Sequence, residues 1–92
     1  MSGTGVQAHV FYRGRVQGVG FRWSAQRVAA GFAVSGFVRN LEDGRVQLVA
    51  QGERGEVERF LAALAARMGA GISGVELSWE EASQDFTGFH IR

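Results

Sequence analysis

Nine residues near the N-terminus, Gly14-Arg-Val-Gln-Gly-Val-Gly-Phe-Arg22, combine three glycines, two arginines and a glutamine, with no Lys, Ser, Cys or carboxylate among them. Such a run carries no nucleophile and no general base. What it offers is backbone. Gly14, Gly18 and Gly20 permit left-handed or tightly curled conformations and admit a ligand where a Cβ would stand in the way, so successive amides can turn inward as an anion nest. A helix starting at the end of the run adds free N–H groups and a dipole that favour negative charge at the same place. Arg22 then falls in the first helical turn, a planar and permanent cation whose fork suits two oxygens of a phosphate-like anion. The plainer alternative is a tight strand-to-helix turn with a solvated arginine, because a glycine loop alone is weak support for binding.

Composition removes the competing chemistries. The chain has 92 residues, which is read as one domain with one modest core. Ten basic and nine acidic residues give a net charge of +1, so no long-range attraction to nucleic acid or an anionic membrane is implied and anion specificity has to be local. Every basic residue other than the histidines is Arg; the absence of Lys excludes Schiff-base chemistry and a lysine of the Walker type. Cys is absent too, which excludes cysteine phosphatase chemistry, thiolate metal sites and disulfides. With no long apolar run and no signal peptide, a cytoplasmic location is the expectation, and residues 1–5 read as a flexible tail.

The elements that must position the glycine run follow from periodicity. Val6, Ala8, Val10 and Tyr12 alternate with Gln7, His9, Phe11 and Arg13 as in a strand with one better-buried face. From Phe21 the period lengthens: Phe21, Ala25, Val28, Ala29 and Phe32 share a helical stripe, with Gly31 as a C-cap. Val34 to Leu41 reads as a second strand, Glu42-Asp43-Gly44 as a hairpin turn, and Val46, Leu48 and Ala50 as alternate positions of a third strand. Val57, Phe60, Leu61, Leu64 and Met68 mark a second amphipathic helix, with Glu53 and Glu56 near its positive end and Arg67 near its negative end. Val75, Leu77 and Trp79, then Phe89 and Ile91, alternate in two closing strands, with Glu81 to Asp85 as the loop between them.

This order predicts an α+β fold: a ferredoxin-like sandwich (βαββαβ), a mainly antiparallel sheet with two helices on one face. A right-handed crossover leaves the first and second strands parallel, so their C-terminal ends share a rim. With the third strand between them those ends lie about 10 Å apart, two strand spacings. Arg22 and Asn40, distant in sequence, therefore converge beside the glycine run. His9 and His90 sit on strands without a triad or ligand set and read as sheet residues. Arg15 and Arg39 read equally as steering or as solvated charges. Trp23 and Arg27, one turn apart, read as a cation–π pair.

The run "GRVQGVGFR", taken with "GFVRNLEDG" (residues 36–44), "VQLVAQG" and the terminal "FHIR", resembles the acylphosphatase family over nearly the whole chain. The departures are Phe37, where the family usually has Trp, and "GAGISG" after the second helix, where it usually has Gly-Pro. The resemblance implies hydrolysis of acyl phosphates to a carboxylate and inorganic phosphate, without metal or cofactor. It places the phosphate-binding arginine at Arg22, the water-positioning asparagine at Asn40, and the backbone cradle at Val16, Gln17, Gly18, Val19, Gly20 and Phe21. A carboxylate leaving group is a weak base, with a pKa of about 4 to 5, so no general acid is needed and weak pH dependence near neutrality is expected. Expected partners are a small acyl phosphate and inorganic phosphate as product and competitor, with no nucleic acid and no membrane, acting on a monomer. Two other classes stay open. One is a non-catalytic acylphosphatase-like module that binds phosphate or carbamoyl phosphate. The other is a ferredoxin-like RNA-binding module that stacks bases on Phe11 and Phe37, for which "SGFVRN" is a poor match to the aromatic signature.

Overall fold

The computed structural model describes residues 5–18, 20–82 and 86–92. The expected strands and helices form in the expected order: β1 (Gly5–Gly14), α1 (Phe21–Ala29), β2 (Ser35–Asn40), β3 (Val46–Glu53), α2 (Arg54–Met68), β4 (Ile72–Glu81) and β5 (Phe89–Ile91), with a single 3-10 turn, Gly69–Gly71, between α2 and β4. β1 opens at Gly5, the last of the residues expected in the tail; residues 1–4 lie outside the described ones, as do Val19 and Ser83 to Asp85.

The five strands form one sheet in the order β4-β1-β3-β2-β5. β1 runs antiparallel to β3 and β4, β2 antiparallel to β3, and β5 parallel to β2. The sheet is the ferredoxin-like one expected, mixed only at the β2–β5 edge. β3 separates β1 from β2, as the rim argument requires.

Register explains the core. Ala8, Val10 and Tyr12 pair with Ala50, Leu48 and Val46, and Val38 also pairs with Leu48. Because side chains alternate faces along a strand, these residues form one apolar row, and all of them are buried. Phe21, Ala25 and Ala29 of α1 and Val57, Phe60 and Leu64 of α2 pack onto that row, three or four residues apart, as one helical face demands. Full burial of side chains such as Phe60 and Leu64 contributes about 1.5–3 kcal/mol each.

Two local expectations differ from the structure. Gly31 does not cap α1 in the left-handed region. The helix closes instead by tightening, with Ala30 N–H donating to Gln26 O and Gly31 N–H to Val28 O. In β4, Val75 and Leu77 face the helical side but are 54% and 46% exposed. β4 is an edge strand, and the helices pack instead on the other four: α1 on β2 and β5, α2 on β3 and β1. Trp79, further along the same face, is covered by the Arg54 guanidinium at 4.2 Å from the ring centre.

Candidate active site

The glycine run leaves β1 at Gly14 and enters α1 at Phe21. Its entrance is fixed by the Arg15 N–H, which donates to Gly71 O at 2.8 Å. Gly71 permits that approach, since a Cβ there would lie 2.7 Å from Arg15 O. The "GAGISG" segment thus anchors the start of the loop. Gly18 and Gly20 have φ of +75° and +80°. No atom would crowd a Cβ at either position, so it is the left-handed backbone, and not lack of space, that calls for glycine.

The helix start that follows is left open. Gly20 is the N-cap of α1, with no side chain to cap it and no acidic residue in the first turn. Ser24 N–H is bonded to Gly20 O, but the amides of Gln17, Gly18, Gly20, Phe21 and Arg22 have no acceptor among the described residues. The start of α2 is arranged the opposite way: the Glu53 carboxylate caps it by accepting from Glu56 N–H at 3.0 Å, and Glu56 adds a second negative charge in the first turn. A helix start carries about half a positive charge. In α2 the protein's own carboxylates meet it; in α1 none of the described residues does.

Arg22 stands beside these amides. Val16, Gly18, Gly20, Phe21, Arg22, Trp23 and Ile91 line one cleft of about 190 Å³, smaller than the roughly 300–1,000 Å³ typical of drug-sized ligand sites. It suits a small group. Most of the arginines are engaged: Arg13 with Glu76, Arg45 with Asp43, Arg54 with Glu58, Arg59 with Glu56, Arg39 with Gln47, and Arg27 and Arg92 over the rings of Trp23 and Phe37. Among the described residues, the Arg22, Arg15 and Arg67 side chains have no such partner. Arg15 and Arg67 border a separate groove of about 370 Å³ beside Met68, Ala70 and Gly71. A larger groove of about 620 Å³ runs between Arg13, Gly14, Asp43, Gly44 and Arg45, but its cations already hold acidic partners.

Asn40 ends β2 on the expected rim, opposite Val46 of β3. Its Oδ1 is buried and accepts no hydrogen bond from any described residue. Asn40 does not itself line the 190 Å³ cleft. The link between the two runs through Gln17, whose side-chain amide donates to the carbonyls of Leu41, at 2.7 Å, and Arg45, at 2.9 Å. Periodicity and composition could not have found that role, because the acceptors are backbone atoms 24 and 28 residues away.

The other titratable side chains lie elsewhere. His9 is bound to Gln47 Nε2 at 2.7 Å on the face of the sheet away from the helices, and exposed His90 bonds the Thr87 carbonyl. Tyr12 packs against Phe21, ring centres 4.9 Å apart, and burial pushes its hydroxyl above the usual range, so it stays neutral. No described carboxylate or histidine borders the cleft.

Fold and cleft together define the class: a two-layer ferredoxin-like sandwich with, at one end of its sheet, a helix start lacking a side-chain cap and an arginine unpaired among the described residues. The acylphosphatase family profile matches residues 8–91, and the chain belongs to that family. It is similar to a curated acylphosphatase from Roseiflexus sp. (strain RS-1), 45% identical over 86 residues and covering 92% of each chain. Acylphosphatase from Bacillus subtilis superposes with a TM-score of 0.84 at 28% identity, covering 95% of this chain and 98% of that one. An acylphosphatase from Coxiella burnetii does so with a TM-score of 0.81 at 33% identity, covering 97% and 94%.

Proposed function

We propose that the chain hydrolyses the carboxyl–phosphate bond of small acyl phosphates, releasing a carboxylate and inorganic phosphate. One observation carries this reading: an uncapped helix start, left-handed glycines and an unpaired arginine meet in a single small cleft. Phosphoryl transfer through a loose transition state demands positioning and stabilisation of charge on the equatorial oxygens. The amides of Gln17, Gly18, Gly20 and Phe21 and the Arg22 fork supply donors in fixed directions, which need no reorganisation as charge develops. Asn40 holds the attacking water in line with the bond that breaks. Water is the nucleophile, its oxygen forming the new bond to phosphorus, and the electron pair of the broken bond leaves on the carboxylate oxygen. The leaving group is too weak a base to need a proton, which accounts for a cleft without a general acid.

Two further readings can be weighed. The RNA-stacking module needs open ring faces, but Arg45 lies 4.5 Å above the Phe11 ring and Arg92 lies 4.0 Å above Phe37, which is only 9% exposed. Those contacts favour the hydrolase. A non-catalytic phosphate-binding module draws on the fact that Asn40 does not line the cleft of Arg22. Turnover separates the two. The purified protein is incubated with benzoyl phosphate in the presence of a chelator, with inorganic phosphate added as competitor. Hydrolysis that survives chelation and is inhibited by phosphate is the expected result. Phosphate binding without turnover would leave only the module.

A further inference from the structure

We propose that Gln17 is a positioning residue that fixes the phosphate cradle in register with Asn40; this deepens the hydrolase reading and rests on it. The two halves of the site belong to different elements. The cradle sits on the β1–α1 loop, whose entrance is tied to Gly71 through Arg15, and Asn40 sits at the mouth of the β2–β3 hairpin. Among the described residues, only the two bonds from Gln17 join loop residues 14–20 to hairpin residues 40–46.

Their geometry is that of a clamp. The hairpin closes on itself through Leu41 N–H to Arg45 O at 2.8 Å and Gly44 N–H to Leu41 O at 3.2 Å. Its two framing carbonyls, Leu41 O and Arg45 O, are the ones that the Gln17 amide nitrogen bridges. Both N–H bonds of one planar group are used, so the clamp restrains direction as well as distance. Leu41 is covalently next to Asn40. The amide of residue 17 belongs to the cradle while its side chain holds the strand end that carries the water-positioning group. Misplacement of reacting groups by about 1 Å can cost on the order of 100-fold in rate, so a single side chain spanning the two halves affects kcat more than anion binding.

Gln17→Met keeps length and removes both donors. With benzoyl phosphate, kcat is expected to fall about 10- to 100-fold while the inhibition constant of inorganic phosphate stays within about 3-fold of wild type. In an Asn40→Ala background the same change is expected to lower kcat by less than about 3-fold, because Gln17 acts through Asn40. An unchanged kcat, full additivity with Asn40→Ala, or a rise in the phosphate inhibition constant equal to the fall in kcat overturns the clamp; the last is the signature of a loop that merely loosens. A phosphate titration followed by 15N NMR reads the clamp without turnover. In wild type the Asn40 side chain and the Leu41 amide shift together with the Gly18 and Gly20 amides, and in Gln17→Met only the glycine amides shift. Wild-type protein that shows this coupling but no hydrolysis refutes the hydrolase and keeps the clamp, whereas hydrolysis without the coupling refutes the clamp alone. Gln17→Asn, which retains the donor but is a methylene too short, is the second variant should Gln17→Met fail to fold.

Discussion

Gly20 and Glu53 hold the same position on the two helices, the N-cap, and only Glu53 fills it with a side chain. The contrast leaves the start of α1 without a side-chain cap, the arrangement in which a helix start is open to an external anion. Gly20→Asp puts a carboxylate into that space. Phosphate is then expected to compete at least about 10-fold more weakly, from charge repulsion at a helix start that otherwise attracts it. Gly20→Asn is the control, since Asn tolerates a left-handed φ and carries no charge; its phosphate affinity should stay much nearer wild type. Isothermal titration with inorganic phosphate measures both.

Arg22→Lys tests the fork. Lysine keeps the charge but presents a compact ammonium on a flexible stem, which cannot hold two oxygens in fixed directions. Loss of one preorganised donor at a developing charge costs about 10²–10³ in rate, so kcat/KM for benzoyl phosphate should fall by that order and phosphate inhibition should weaken with it. Because Arg22 has no partner among the described residues, its replacement should leave the thermal midpoint within about 2 °C, in keeping with the small effects of surface substitutions. A large drop in stability would assign Arg22 to the fold.

The acid side of the stability profile is expected to depend on Glu56 and Asp43. The Ala33 N–H and then the Arg59 guanidinium hold the Glu56 carboxyl below its ordinary value, and the Arg45 N–H and side chain do the same for Asp43. A folded-state pKa below the unfolded one gives stability that is complete above the ordinary carboxylate value and lost as the pH falls through the folded one. Glu56→Gln should therefore be less stable than wild type at neutral pH, and the gap should close as the pH drops below about 4. Urea denaturation at both pH values reads this directly, and a gap that persisted in acid would mean that packing at the start of α2 was the cause.

Much of the fold was legible because it rests on period. Phe60 and Leu64 announce one face of a helix, Val46, Leu48 and Ala50 one face of a strand, and Glu42-Asp43-Gly44 a turn, and those local choices agree with the global fold. The rim that the ends of β1 and β2 share, Gly14 on one and Asn40 on the other, followed from crossover handedness. Exposure at Val75 and Leu77 was not legible, since alternation gives the face a residue points to and not how far the helices reach across it. The tightened end of α1 at Gly31 was hidden for a similar reason: glycine permits a left-handed cap without compelling one. The clamp at Gln17 was invisible because a side-chain amide donating to distant carbonyls leaves no pattern along the chain.

Asn40 combines two properties that together make a sharp prediction. Its Oδ1 is buried and unpaired, and its side chain makes no hydrogen bond to any described residue. An unsatisfied buried polar atom costs about 1–3 kcal/mol, and such a cost is characteristic of a group kept for function, because a site tuned for activity commonly gives up stability. Asn40→Ala removes the orphaned acceptor along with little apolar surface. The variant is expected to be as stable as wild type or up to about 1 kcal/mol more stable, while kcat for benzoyl phosphate falls by about 10² or more and phosphate inhibition stays within about 3-fold. Loss of activity together with a loss of stability above about 1 kcal/mol would show that the amide is bonded within the folded protein and holds β2 in place. A rise in KM with kcat intact would move Asn40 from water positioning to substrate binding, since uniform binding raises affinity without lowering the barrier from the bound state. Only the combination of intact folding, intact phosphate competition and lost turnover fits an asparagine whose free amide serves the attacking water.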